Sequence, residues 1–332
     1  ARFGSLDASR INRSNTDIVN LHWVTDGFLS VEEIGRIEKP VVWTMHDMWP
    51  FTGTEHYTPE EPTPTRWQEG YRTDNRLPGE SGLDLDRWTW DRKRTSWNVS
   101  PHLVPVSTWL ADAANASALA ATWSTTVIPN VMDTQVFRPG QRGQARKTLG
   151  LTDGPLIAFT ASAGISDSRK GWSNLAAAIP SVRQQFPDLQ VIVIGHSSPR
   201  DQEQVKESVV WAGIVTNDEV MATWLQAADV IAVPSSADNL PMTACEAQCV
   251  GKPVVAFDIG GLSDTVEHDV TGYLARPQDI KDFAVGLIRA LKDSRETNEW
   301  GQTAARRAQA KWAPDVVVDQ YRTLYERILD ER

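Results

Sequence analysis

From about residue 155 onward the chain alternates short apolar runs with stretches of helical spacing, and few architectures accept that pattern. The runs "LIAFTAS" (156–162), "LQVIVIG" (189–195), "VVWAG" (209–213), "DVIAVPS" (229–235) and "PVVAFD" (253–258) are β-branched and nearly unbroken, as strands covered on both faces require. Helices at 172–186, 217–227, 242–250, 262–268 and 278–292 fill the gaps, which predicts a parallel sheet wrapped by helices. Pro180 is expected to kink the first helix, and Gly251 and Pro253 to end the third.

The first part alternates less cleanly, with strands at 17–24, 40–46, 102–107 and 125–130 and helices at 29–38 and 107–121. A polar stretch from Phe51 to Trp88 is long for a loop in a compact domain, so it is expected to be functional or mobile. Residues 131–152 read as a linker, and 313–329 as an amphipathic helix with Val316, Val317, Tyr321, Leu324 and Ile328 at helical spacing. Nine of the 14 tryptophans precede residue 124 and are expected to give the first domain a rigid aromatic surface. With 332 residues, the chain outgrows one core and predicts two domains.

Composition excludes several classes. A formal charge of -10 argues against nucleic-acid binding, which needs clustered cations. Two cysteines, Cys245 and Cys249, spaced four apart on one helix, fit small buried residues in a reducing compartment. No apolar run reaches the roughly 18–20 residues of a membrane span, and nothing at the start resembles a signal peptide. The expected location is the cytoplasm, with peripheral contact at the inner face of the membrane left open. The six histidines show no metal-ligand spacing, so no metal is expected. "TASAGISDSRKG" lacks the G-x-G-x-x-G of a dinucleotide site, and "DLD" at 84–86 lies away from any strand end.

In open parallel sheets, ligands gather beyond the carboxyl ends of the strands. After strand 156–162 come Arg169 and Lys170, just before a helix whose start also favours anions; the same residues suit a solvated turn. After strand 229–235 come Asp238, Asn239, Leu240 and Pro241, with Glu246 eight positions after Asp238. Paired carboxylates accept from the vicinal hydroxyls of a sugar, but Asp238 or Asn239 also suits a helix cap and Glu246 a solvated helix face. After strand 253–258, Gly260 and Gly261 allow a ligand close to the backbone. Cations, carboxylates and bare backbone on one rim describe a pocket for a sugar nucleotide. In the first domain, "NLHWV" and "TMHDMW" end adjacent strands with His22, Trp23, His46 and Asp47. A histidine there can donate to a sugar hydroxyl, and an adjacent carboxylate can fix its tautomer.

These stretches, with "VPVSTWLADAANAS", "VIPNVMDTQVFRP" and "TGYLARP", resemble glycosyltransferase family 4, most closely the exopolysaccharide and colanic-acid branch of the retaining GT-B enzymes. The likeness covers about residues 17–277. It implies an α/β GT-B architecture, two Rossmann-like doubly wound domains facing across a cleft. The expected division is 1–145 as the acceptor-side domain, 146–312 as the nucleotide-sugar domain and 313–332 as a helix returning to the first. The likeness begins after the family's first strand and glycine-rich loop, so the first domain is expected to be truncated.

Carried over residue by residue, the resemblance implies that Glu246 holds the ribose and that Asp238, with the backbone of Asn239, Leu240 and Pro241, meets the donor sugar. Asp238 is one methylene shorter than the family's usual glutamate. Lys170 matches the diphosphate lysine and His46 the cleft histidine; Gly164 stands where many members carry an arginine, so Arg169 is expected to supply the second charge. The implied activity is transfer of a sugar from a nucleoside diphosphate sugar to a glycan or lipid-linked acceptor, with retention, without metal or other cofactor, in polysaccharide biosynthesis. The alternatives are an impaired nucleotide-sugar-binding relative and a GT-B sugar-nucleotide epimerase.

Overall fold

The computed structural model describes residues 4–331 apart from 59–65, 78, 99, 162–163, 206–208 and 293. The chain divides into two compact units, residues 1–129 with 319–332, and residues 130–318.

The first unit holds a parallel sheet of β1 (Val19–Leu21), β2 (Val41–Met45) and β3 (His102–Pro105), in that order. The strand expected at 125–130 forms only a single bridge, Thr125 to Leu103, followed by amide bonds from Thr126 to Leu103 and Ile128 to Pro105. The pairing stops at Pro129, which has no N–H to give. Against expectation, most of the described tryptophans here build core. Trp43, Trp49, Trp97 and Trp123 are buried, with neighbouring ring centroids 5.3–6.2 Å apart.

The polar stretch 51–88 is also more ordered than its composition predicts. It contains the helix Arg66–Glu69 and the start of the helix Leu85–Ser96. Arg66 is buried and pairs with Asp84 at 2.5 Å, while Asp84 caps the second helix by accepting from the Arg87 amide at 3.0 Å. Asp86 accepts from the Thr54 amide, so both acids of "DLD" have structural partners. Residues 59–65 and 78 of this stretch lie outside the described residues. The terminal helix Pro314–Asp330 lays Tyr321 and Tyr325 on this unit's sheet, where their hydroxyls bond Thr44 at 2.9 Å and Asn20 at 2.8 Å.

The second unit contains β4 (Leu156–Ala161), β5 (Gln190–Gly195), β6 (Val209–Gly213), β7 (Val230–Val233), β8 (Val254–Phe257) and β9 (Gly272–Ala275). They pair in the order β6-β5-β4-β7-β8-β9, all parallel. This is the doubly wound order, with its reversal between β4 and β7. The edge strand β9 and the long helix Ser294–Trp312 are not marked by any apolar run in the sequence. The helix Trp172–Gln185 continues through Pro180 without a break. Residues 131–152, expected as linker, contain the helix Arg142–Leu149, packed on the helix Asp218–Ala227. Its Arg146 is fully buried. The guanidinium donates to the carbonyls of Ala227 and Gly154 at 2.9 Å each and pairs with Asp229 at 2.8 Å.

The loops after β4, β7 and β8 are tied edge to edge. The Ser236 amide donates to the Arg169 carbonyl at 2.8 Å, and the Gly261 amide to the Asp238 carbonyl at 3.1 Å. Two glycines make this approach possible. Gly171 has φ +75°, and a Cβ there would lie 1.9 Å from the Pro234 carbonyl oxygen; one on Gly260, at φ +53°, would lie 2.1 Å from that of Asp238. Among the described residues no helix is long and apolar enough to cross a membrane.

Truncating Arg146 empties a buried site and leaves the Ala227 and Gly154 carbonyls without their donor, although Asp229 keeps Arg142 and the Leu156 amide, so Arg146→Ala should cost about 2 kcal/mol, read as a lower urea midpoint. Gly171→Ala should cost on the order of 2–4 kcal/mol in the same measurement, because strain and a backbone clash add; an unchanged midpoint would mean that the loops separate freely.

Candidate functional site

The rim of the second sheet is built from three short segments. Beyond β4, Asp167 caps a single turn at Ser168–Lys170, accepting from the Arg169 amide at 3.0 Å. Arg169 also pairs with Asp167 at 2.9 Å, so its charge is held beside the turn and half exposed. Gly171 then opens the helix Trp172–Gln185, whose start has no side-chain cap. Uncapped first-turn amides and two cations beside them favour an anion.

Beyond β7, Lys170 reaches across to Asp238, Nζ to Oδ2 at 2.8 Å. The other carboxylate oxygen accepts from the Asn239 amide at 3.1 Å. Asp238, Asn239, Leu240 and Pro241 are all buried. Pro241 itself takes the cap position of the helix Met242–Cys249, and no side chain caps that helix. The capping alternative for Asp238 and Asn239 therefore falls, because the carboxylate that would cap is spent on Lys170.

Glu246 is not on a solvated face either. Burial, with Asp218 nearby, pushes its carboxyl up to about 7. Among the described residues no donor hydrogen-bonds it, which leaves a half-buried acceptor without a partner. Such a group is costly unless something supplies donors. The helix is also pinned to the sheet by a hydroxyl bond between Thr243 and Thr160 of β4. Beyond β8, Gly260 and Gly261 lie against the Asp238 backbone, bringing the third segment to the same place.

In the first unit, β1 and β2 bring His22 and His46 together. Nδ1 of His22 lies 3.1 Å from Nε2 of His46, with the rings stacked at 5.3 Å. Burial lowers the pKa of both; for His46 the neighbouring His22 lowers it further, while Asp47 works in the opposite direction. Both are thereby biased toward the neutral form at neutral pH. Asp47 does not serve His46 as its tautomer partner in the way the adjacent letters predict. Its oxygens are taken by the Trp49 amide at 2.9 Å and by His56 at 2.7 Å. His56 is the residue that sequence reading missed; it also packs on the exposed Trp23, rings 5.9 Å apart. A shallow hollow of about 10 Å³, room for little more than a water, is lined by His22, Trp23, Thr25, His46, Asp47 and their neighbours. Among the described residues no group of His, Cys, Asp and Glu is arranged to hold a metal ion.

Residues 154–293 match the family described as glycosyl transferases group 1. A D-inositol 3-phosphate glycosyltransferase of Pseudarthrobacter chlorophenolicus is 28% identical over 88% of this chain and 66% of its own length. A 2-deoxystreptamine glucosyltransferase of Streptomyces kanamyceticus is 30% identical over 50% of this chain, which spans less than half, 45%, of that enzyme. Among solved structures, sucrose-phosphate synthase from Thermosynechococcus elongatus superposes with a TM-score of 0.73 at 20% identity, covering 98% of this chain and 76% of its own. Anabaena HepE, solved in complex with UDP-glucose, gives 0.68 at 18% identity, covering 96% and 82%. These structures share the GT-B fold of two parallel-sheet, Rossmann-like domains. Residues 154–293, which hold the rim of the second sheet, are thus the part of the chain that is similar to the glycosyl transferases group 1.

Proposed function

We propose that this chain moves a sugar from a nucleoside diphosphate sugar to a glycan or lipid-linked acceptor, with retention, in the synthesis of a polysaccharide of the exopolysaccharide or colanic-acid type. The observation that carries the reading is the rim at the β4/β7 reversal. There a cation poised on an uncapped helix start stands at the same rim as the helix that carries Glu246, a half-buried carboxylate that no donor among the described residues hydrogen-bonds. That combination is what a diphosphate and the paired hydroxyls of a ribose would complete.

In this reading the diphosphate lies against Lys170, Arg169 and the start of the helix Trp172–Gln185. The ribose hydroxyls donate to Glu246. The donor sugar borders Asp238, the backbone of Asn239, Leu240 and Pro241, and the amides at Gly260 and Gly261. When the anomeric C–O bond breaks, negative charge grows on the departing phosphate oxygen, and the fixed cations stabilise it more than they stabilise the ground state. The acceptor hydroxyl attacks from the face the phosphate leaves and passes its proton to a phosphate oxygen, so no carboxylate nucleophile is needed. His46, with His22, Trp23 and Asp47, is assigned to the sugar hydroxyls on the acceptor side. A neutral histidine there can donate to one hydroxyl or accept from another without repelling the acceptor.

Two measurements test this. A thermal-shift panel of nucleoside diphosphates and their sugars should single out one base, since a ligand at 100 times its Kd stabilises by about 2.7 kcal/mol. Lys170→Ala and Glu246→Ala should each weaken that ligand roughly tenfold or more; no shift with any nucleotide sinks the proposal. Glu246 also sets a pH dependence. Its carboxyl is raised to about 7, so the unliganded chain loses stability as pH rises from the ordinary carboxylate range toward 7, where the buried group must ionise. Binding runs the other way, because the ionised form is the one that accepts from both ribose hydroxyls. Affinity for a nucleotide sugar, whose diester phosphates do not titrate there, should climb with pH through about 7 and level off, and Glu246→Gln should flatten the profile.

A further inference from the structure

The resemblance places the donor sugar against Asp238, but the side chain at that position is already committed elsewhere. Its Oδ2 accepts from Lys170 at 2.8 Å and stands 3.5 Å from the Ser235 hydroxyl, its Oδ1 accepts from the Asn239 amide at 3.1 Å, and its carbonyl accepts from the Gly261 amide at 3.1 Å. The residue is only 9% exposed. Asp238 is therefore tied to all three rim segments at once, and its burial leaves a sugar hydroxyl little access to the remaining lone pairs of the carboxylate.

We infer that Asp238 is a positioning residue for Lys170, holding its ammonium for the diphosphate, and that its carboxylate does not bind the donor sugar. The inference rests on the donor-site reading above. A lysine ammonium has three donors. One is spent on Asp238 and two remain for phosphate oxygens, so the pair need not break when a diphosphate arrives. The lysine stem is long and flexible, and an unanchored ammonium would sample many positions around the helix start. Asp238 supplies the anchor from a rigid place, because its backbone is stitched to Gly261 and its loop to Arg169.

The two roles separate by ligand. A sugar ligand matters to UDP-glucose and not to UDP, whereas a lysine anchor matters equally to both. Calorimetric titration of UDP and UDP-glucose, or of the corresponding pair for whichever base the panel selects, should show Asp238→Asn weakening both by the same factor, about tenfold. Asp238→Glu, which keeps the charge, should recover most of the loss. In the Lys170→Ala background, Asp238→Asn should have little further effect on UDP, since the residue acts through the lysine. The inference is overturned if Asp238→Asn weakens UDP-glucose while leaving UDP unchanged, if it tightens UDP by removing a repelling charge, or if its effect on UDP persists without Lys170. Failure of the wild-type chain to bind any nucleoside diphosphate would be a different result, and it would remove the donor site itself. Asn is isosteric with Asp; should Asp238→Asn nevertheless unfold, Asp238→Ser, which also removes the anchoring carboxylate, on the same two ligands decides between sugar and diphosphate.

Discussion

Parallel pairing of β4 with β7 is the constraint on which the candidate site depends. Two adjacent strands that run the same way must send their chains out at the same edge, and at the reversal of strand order their helices leave to opposite sides of the sheet. The loops after β4 and β7 therefore begin side by side and diverge, leaving a notch. Here the notch is narrowed by backbone contact: Gly171 lies under the Pro234 carbonyl, and the Ser236 amide reaches the Arg169 carbonyl. Lys170 and Asp238, 68 residues apart in the chain, meet because those backbones do. The ion pair follows from the loop packing, and its charges are then placed without further ordering cost when a ligand arrives.

The first unit solves a similar problem with a buried cation. Lys93 is fully buried on the helix Leu85–Ser96, and its ammonium donates to the carbonyls of Trp49, Thr52 and Gly53, the last two at 3.1 and 2.9 Å. It also sits 3.7 Å from the Trp49 ring. Burial drives its pKa well below the usual lysine value, although Glu55, Asp47 and Asp86 favour the charge. Three carbonyls and an aromatic face replace much of the lost water. The segment they hold follows directly on His46 and Asp47, so the turn that shapes the histidine hollow is tied down from behind by a residue of the helix Leu85–Ser96.

What could be read from the letters follows the range of the interactions involved. The strands and the fold class were legible because continuous β-branched runs report burial on both faces, a property each run has by itself. β9 was hidden because it is an edge strand of four residues with two of them only half-buried. The helix Arg142–Leu149 looked like linker because its charged sequence buries one arginine, and a charge is read as solvent-exposed unless its partners are visible. At the rim, residue types pointed to the right loops, but no spacing rule could show that Asp238 spends its carboxylate on Lys170. Likewise "HD" implied a histidine held by its neighbour, whereas Asp47 turns to His56, nine residues on, and His46 meets His22 across the strands. Neighbours in sequence on a strand end point to opposite faces, so contact across strands was the better expectation.

The two acids of the rim, finally, have opposite electrostatic fates, and the difference explains how a chain of net charge -10 can offer a place for a diphosphate. Asp238 is paired, so locally it cancels one cation. Glu246 is unpaired and half-buried, and its raised pKa near 7 means that part of the population carries no charge there at all at neutral pH. The repulsion an incoming phosphate would feel is thus reduced twice, once by pairing and once by protonation, while the uncapped helix start keeps its positive end toward the site. Long-range repulsion from the rest of the surface is screened over about 10 Å at ordinary salt, so the local arrangement of these few groups decides whether the anion is held.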